Sequence, residues 1–123
     1  MKYVLALLTT LVLSGPALAQ HAHATRGPNG GQMEDVAGVH AELMTSGNAI
    51  TINVFDEGNK PVATKGFTAS ALVSRGPERE MVALVPSDEM TLKGEAKKSV
   101  AGAAITVTLK TVAGKSGQAR FKP

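Results

Sequence analysis

The histidines are the side chains of this sequence best suited to bind a metal ion. His21 and His23 lie two positions apart, and residues with that spacing project to the same side of an extended segment. Two imidazoles so placed chelate Cu(II), Ni(II) or Zn(II), all of which accept imidazole nitrogen. A free amino group at Gln20 would add a third nitrogen. The alternative is a solvated tail whose histidines bind nothing.

His40 lies in a stretch where apolar and polar residues alternate, VHAELM. In a strand, His40, Glu42 and Met44 share one face, so nitrogen, carboxylate and thioether donors could converge there. Such a set suits copper first, as Cu(I) or Cu(II), and zinc or nickel next. The alternative is an exposed strand residue beside a charge and a space-filling methionine.

Four methionines follow Met1, and soft thioethers select Cu(I). Met33 and Met44 lie near the histidines in sequence and would assist them. Met81 and Met90 lie in apolar runs, where methionine usually fills gaps in a core. The predicted metal ligands are therefore His21, His23, His40, Met33, Met44 and Glu42.

The sequence does not indicate an enzyme. No serine lies in a G-x-S-x-G turn, and His40 is the only histidine within the predicted domain. Gly30-Gly31 lacks the preceding strand and the following Lys-Ser/Thr of a phosphate-binding loop. We therefore expect neither catalytic nor organic-cofactor-binding residues.

The first 19 residues have the pattern of a cleaved signal peptide. Lys2 precedes an apolar run over residues 4–13, and Ala17-Leu18-Ala19 has the small residues that signal peptidase reads. The run is shorter than the ~20 residues of a spanning helix, so we expect no transmembrane segment in the mature chain. The sequence predicts a periplasmic protein with a flexible, His-containing arm over residues 20–31 and one domain over residues 32–123.

The charges lie interspersed along the chain. It has 13 Lys and Arg against 10 Asp and Glu, and loss of Lys2 with the signal leaves 12 against 10. No basic block exceeds Lys97-Lys98, so the sequence favours a solvated surface over a nucleic-acid partner. The absence of Cys excludes disulfides and thiolate metal sites.

The positions of these residues depend on a chain of short strands. Ile50, Ile52 and Val54 alternate with polar residues, and Ser46-Gly47-Asn48 separates this strand from the one bearing His40, which predicts a hairpin. Turn-forming residues recur every ~8–12 residues, as in antiparallel sandwiches and barrels. We predict an all-β, antiparallel, Ig-like β-sandwich of about seven short strands, with an open barrel as the alternative. Strands are expected over residues 32–36, 39–45, 49–55, 67–74, 80–85, 90–94, 103–111 and 118–122.

Four segments of the chain resemble a family of small exported bacterial β-proteins. They are Arg26-Gly27-Pro28-Asn29-Gly30-Gly31, residues 39–44, residues 56–62 and Ala119-Arg120-Phe121. They are similar to the HG-x-x-GG-like start, the Y-H-x-E-L-V-like strand, the D-x-x-G-K-P-V turn and the closing strand of that family. Arg26 stands where the family often has His, and Val39 where it often has an aromatic residue.

Similar segments occur in periplasmic components of heavy-metal efflux systems. The resemblance therefore implies a link to metal handling. We expect a monomeric metal-handling accessory protein, whose partner is a metal-efflux component or another envelope protein. The alternative is a non-enzymatic interaction module that binds no metal and docks through a sheet edge or through its arm.

Overall fold

The computed structural model describes residues 26–123, which form eight β-strands. His21 and His23 lie outside the described residues. The strands are β1 (Gln32–Val36), β2 (Val39–Ser46), β3 (Ala49–Phe55), β4 (Thr68–Arg75), β5 (Glu78–Ser87), β6 (Thr91–Glu95), β7 (Ala104–Lys110) and β8 (Ser116–Phe121). Between residues 26 and 123 there is no helix of the length and apolarity needed to cross a membrane.

Alternation of apolar and polar residues determines which face of each strand is buried. On β3, Ile50, Ile52 and Val54 are fully buried, whereas Thr51 and Asn53 between them are half-buried. The same period of two recurs on β7, where Ile105, Val107 and Leu109 point into the core. The all-β prediction and the β2–β3 hairpin are therefore confirmed.

The strands form one continuous antiparallel sheet in the order β1-β2-β3-β6-β5-β4-β7-β8. Strands β4, β5 and β6 follow one another through turns, while β3 lies beside β6 and β7 beside β4, which gives two overlapping Greek keys. The sheet curls until β1 and β8 lie side by side, where the Gln32 side chain donates a hydrogen bond to the Lys122 carbonyl at 2.8 Å. The arrangement is nearly closed and barrel-like, and differs in this detail from a sandwich of two separate sheets.

Two long connections cover the open ends of the curled sheet. Residues 56–67 cross one end, where Thr64 is fully buried and donates from its hydroxyl to the Thr91 carbonyl at 2.9 Å. Residues 96–103 cross the other end and bury Ala96, Val100 and Ala103. The core is therefore sealed by side chains from loops as well as by the sheet.

Strand direction divides the loops between these two ends. Every neighbouring pair joins an odd-numbered strand to an even-numbered one and is antiparallel, so all odd-numbered strands run one way. The β2–β3 turn, the β4–β5 turn, residues 96–103, Arg26 and the residues after β8 therefore share one end, here called the basic end. The remaining connections share the opposite end.

One expectation about a side chain needs correction. Met81 was expected in the core, but its residue is 64% exposed because β5 buries only Val82 and Leu84 and turns Met81 and Val85 outward. Residues 26–31, the described part of the predicted arm, form a hydrogen-bonded turn that packs on β2, where Glu42 binds it.

The β1–β2 turn contains a backbone conformation that is unfavourable for its residue. Ala37 has φ 52°, a left-handed conformation that costs an L-residue with a Cβ roughly 1–2 kcal/mol.

We expect Ala37→Gly to raise the free energy of unfolding by about 1 kcal/mol, measured by urea denaturation. Ala113→Gly in the β7–β8 turn is the control, because Ala113 has no positive φ, and it should be neutral or destabilising. A destabilised Ala37→Gly variant would contradict this account.

Candidate functional site

The first ordered feature of the described chain is a tight turn over residues 27–31. Pro28 and Gly30 occupy the second and fourth positions of a β-turn closed by a 2.9 Å hydrogen bond from the Gly30 N–H to the Gly27 carbonyl. Gly30 has φ 83°, and the Gly27 N–H donates to the Gly31 carbonyl at 2.7 Å. Pro28, Asn29 and Gly30 thus form the three-residue hairpin loop that ends in a left-handed glycine.

This turn surrounds the carboxylate of Glu42, which is fully buried on β2. Oε2 accepts hydrogen bonds from the backbone N–H groups of Asn29 at 2.8 Å and Gly31 at 3.0 Å. Oε1 accepts from the side-chain amides of Asn29 at 2.8 Å and Asn53 at 3.3 Å. Backbone N–H groups that converge in a turn form a concave anion site in many proteins, and here the anion belongs to the same chain.

The close packing of the turn on β2 requires glycine at two positions. A Cβ at Gly27 would overlap the Glu42 carboxylate. A Cβ at Gly31 would overlap the Leu43 carbonyl oxygen and lie 2.6 Å from the Met44 sulfur. Any larger residue at either position would therefore push the turn away from the carboxylate.

The four hydrogen bonds leave Glu42 without a free site for a metal ion. An ionised carboxylate offers about four lone-pair sites, and four donors occupy them. No Lys, Arg or His nitrogen of residues 26–123 lies within 4.0 Å of it, so neutral amides alone solvate the charge. The hydrogen bonds give Glu42 a structural role, and its role as a metal ligand stays a prediction.

His40 lies on the same face of β2 as Glu42, nearer the opposite end. Its Nδ1 contacts the Asp35 carboxylate on β1, directly across the strand pair, and its side chain is 26% exposed. A carboxylate at Nδ1 fixes the orientation of an imidazole and leaves Nε2 available to a ligand. Among the predicted ligands within residues 26–123, His40 keeps an imidazole nitrogen available to a metal ion.

The two methionines of the predicted site lie differently with respect to His40. Met33 on β1 lies opposite Glu42 on β2, which makes it the diagonal neighbour of His40 on the same face. Met33 is half-buried. Met44 packs against Gly31 on the far side of Glu42. The turn over residues 27–31 therefore separates Met44 from His40.

His21 and His23 lie outside the described residues, so whether they join His40 in one site stays a prediction. Among residues 26–123 themselves, no three His, Asp or Glu side chains are grouped as metal ligands.

The partners of Glu42 were not predicted from the sequence. The sequence places Asn29 in the predicted arm, and Asn53 among the polar residues that alternate with the apolar residues of β3. The Pro-Asn-Gly-Gly order is a turn signal that was available in the sequence. What the turn packs against could not be found in this way, because Glu42 is 13 residues away from Asn29.

A second feature, at the basic end, is a concentration of positive charge. Three cavities of about 490, 280 and 220 Å³ open there. Seven of the 12 Lys and Arg side chains of residues 26–123 line these cavities: Arg26, Arg75, Arg79, Lys97, Lys98, Arg120 and Lys122.

The acidic side chains near this end are fewer and are partly engaged. They are Glu78, Glu80 and Glu95. Glu80 accepts hydrogen bonds from the Lys97 backbone N–H at 3.0 and 3.2 Å, and Glu78 lies 3.7 Å from the Lys98 ammonium. The opposite end has five lysines and six acidic residues, so it carries a slight negative charge.

Comparison of the chain with protein-family models, with curated proteins and with solved structures gives no match. The assignment of function therefore depends on the geometry of the chain itself.

The Glu42 site makes a direct prediction about stability. Glu42→Gln replaces one acceptor oxygen by an NH₂ group that faces amide donors, so at least one buried hydrogen bond is lost and a donor remains unsatisfied. We expect the free energy of unfolding to fall by roughly 2–4 kcal/mol in urea denaturation. Asn53→Ala removes only the longest of the four bonds, and should cost about 1 kcal/mol. A Glu42→Gln variant as stable as the parent protein would show that the carboxylate does not hold the turn.

Proposed function

We propose that the protein is a non-enzymatic binding module that docks on an anionic partner through its basic end. The observation that carries this proposal is the clustering of seven cationic side chains around three adjoining cavities. The predicted export of the chain would make the partner a component of the cell envelope.

The distance between the two ends favours a local effect of charge. Strands of seven or eight residues are roughly 25 Å long, whereas the Debye length at physiological ionic strength is about 8 Å. A partner at the basic end therefore interacts with a local excess of seven cationic over three acidic side chains, and the acidic residues of the opposite end are screened. The small net charge of the whole chain underestimates this attraction.

The arrangement of the remaining polar groups supports binding over catalysis. Glu42 is saturated by its four hydrogen bonds, and the Nδ1 atom of His40 is engaged by Asp35. Neither set of contacts includes a hydroxyl nucleophile. The β-scaffold and its two sealed ends provide a rigid surface, which suits a docking protein.

Two variants with the same net charge test the proposal. The triple variant Lys97→Gln, Lys98→Gln, Lys122→Gln removes three cations from the basic end. The control Lys60→Gln, Lys65→Gln, Lys115→Gln removes three from the opposite end. With heparin as a polyanionic probe, the slope of log Kd against log salt should fall by roughly two to three in the first variant and change little in the control. Equal losses in both variants would contradict a role for the basic end.

Metal binding is a second candidate function, and the contact between Asp35 and His40 is the observation that favours it. The carboxylate orients the imidazole, and the family resemblance points to metal handling. His40 would supply Nε2, with His21, His23 and Met33 as the remaining donors and copper as the first metal to test.

Calorimetric titration with Cu(II) and with Ag(I), a stand-in for Cu(I), tests this second candidate on the chain from Gln20 onward. His40→Ala should weaken Cu(II) binding strongly, and Asp35→Asn should weaken it roughly tenfold because the imidazole loses its orienting partner. The double variant His21→Ala, His23→Ala measures the contribution of the arm. Binding that depends on the arm but not on His40 would contradict a site on the folded domain.

A further inference from the structure

The cavity of about 490 Å³ lies on the outer face of β4, β7 and β8, near their ends. The strand register explains its lining. Arg79 on β5 faces Ser74 on β4, and in the next row Leu72 on β4, Thr106 on β7 and Arg120 on β8 stand side by side. Two guanidinium groups thus flank a floor that combines an apolar side chain with two hydroxyl groups.

The two guanidinium groups have no acidic partner in the described structure. Within residues 26–123, neither Arg79 nor Arg120 has a carboxylate oxygen within 4.0 Å, including the terminal carboxylate of Pro123, which also lines the cavity. Arg75, at the rim, donates from Nη1 to the Ser99 carbonyl at 2.6 Å and is held in place by that bond. The nearest acidic groups on β5, Glu78 and Glu80, interact with Lys98 and with the Lys97 backbone. The cavity is therefore positive and has unused donors.

We propose that this cavity binds a phosphate ester group, and that the anionic partner of the proposed function is a phosphorylated ligand. This inference rests on the proposed function and specifies its ligand. Two guanidinium forks and two hydroxyls supply donors in several directions, as a tetrahedral phosphate requires, whereas a carboxylate uses only a single fork. Ser74 and Thr106 would donate to the oxygens that the arginines leave free.

The apolar surroundings of the cavity select the kind of phosphorylated molecule. Leu72 forms part of the floor, and Met81, in the same row of side chains, is 64% exposed beside it. Exposed apolar surface next to the phosphate site suits a ligand that carries an apolar body. All three phenylalanines of the described chain are buried, so this face has no aromatic side chain on which a nucleic-acid base could stack.

A titration followed by heteronuclear NMR tests the site. Glycerol 3-phosphate is the soluble probe, and vesicles of phosphatidylglycerol, with phosphatidylcholine as the reference, present the same group on a lipid surface. The parent protein should show saturable shifts of the amides around Ser74, Thr106 and Arg120. The double variant Arg79→Gln, Arg120→Gln should bind roughly tenfold more weakly or not at all.

Matched variants separate a specific site from general attraction. Lys110→Gln, Lys115→Gln removes the same charge from the opposite end and should bind glycerol 3-phosphate like the parent protein. Arg79→Lys, Arg120→Lys keeps the charge but loses the planar forks, and should bind more weakly than the parent protein. Both arginines are exposed, and unchanged thermal unfolding of each variant will confirm that the fold is intact.

Met81→Ser distinguishes the two sources of phosphate. If Met81→Ser weakens binding to vesicles but not to glycerol 3-phosphate, the ligand is a lipid headgroup. If the protein prefers glycerol 3-phosphate and Met81→Ser has no effect, the ligand is a free phosphorylated molecule. Lack of binding to both probes, or equal losses in the arginine and lysine double variants, would overturn the phosphate site. Heparin binding that depends on Lys97, Lys98 and Lys122 would remain in that case, so failure here is distinct from failure of the proposed function.

Discussion

The buried carboxylate of Glu42 is the constraint around which the first third of the described chain is arranged. A charge removed from water without compensation is far more costly than the net stability of a small domain, so donors have to surround it. The turn over residues 27–31 supplies three of the four hydrogen bonds, and β3 supplies the fourth. This single group therefore links β3, β2 and the segment that precedes β1. It also explains why glycine is needed where the turn meets β2, and why a polar segment with little apolar surface is ordered.

The strands could be predicted from the sequence because the burial of each depends on its own residues. Alternation in Ile50, Ile52 and Val54 is sufficient to locate β3, and the same is true of β7. Alternation does not reveal how far a sheet curls, so the choice between a sandwich and a nearly closed barrel could not be made in this way. Met81 shows a related limit. In a continuous apolar run, periodicity cannot tell which face turns outward, and only the pairing of β5 with β4 and β6 decides it.

The candidate sites were predictable to different degrees for physical reasons. His40, Glu42 and Met44 were expected on one face of β2, and they do lie there. Their roles differ, however, because residues from the distant turn occupy Glu42 and separate Met44 from His40. The basic end was missed for another reason. Its cations are interspersed along the sequence, and only the alternating direction of the strands brings Arg26, Arg79 and Arg120 to one end.

The contact between β1 and β8 has a consequence for the motions of the protein. Gln32 and Lys122, which meet there, are 90 positions apart, so bringing these strands together incurs the entropy of closing nearly the whole domain as a loop. All other neighbouring strands are joined by main-chain hydrogen bonds, whereas β1 and β8 are linked through the Gln32 side chain. We therefore expect this seam to open more readily in the native state than the strand pairs joined by main-chain hydrogen bonds. Amide protons there would exchange with deuterium ahead of those in β3 and β4.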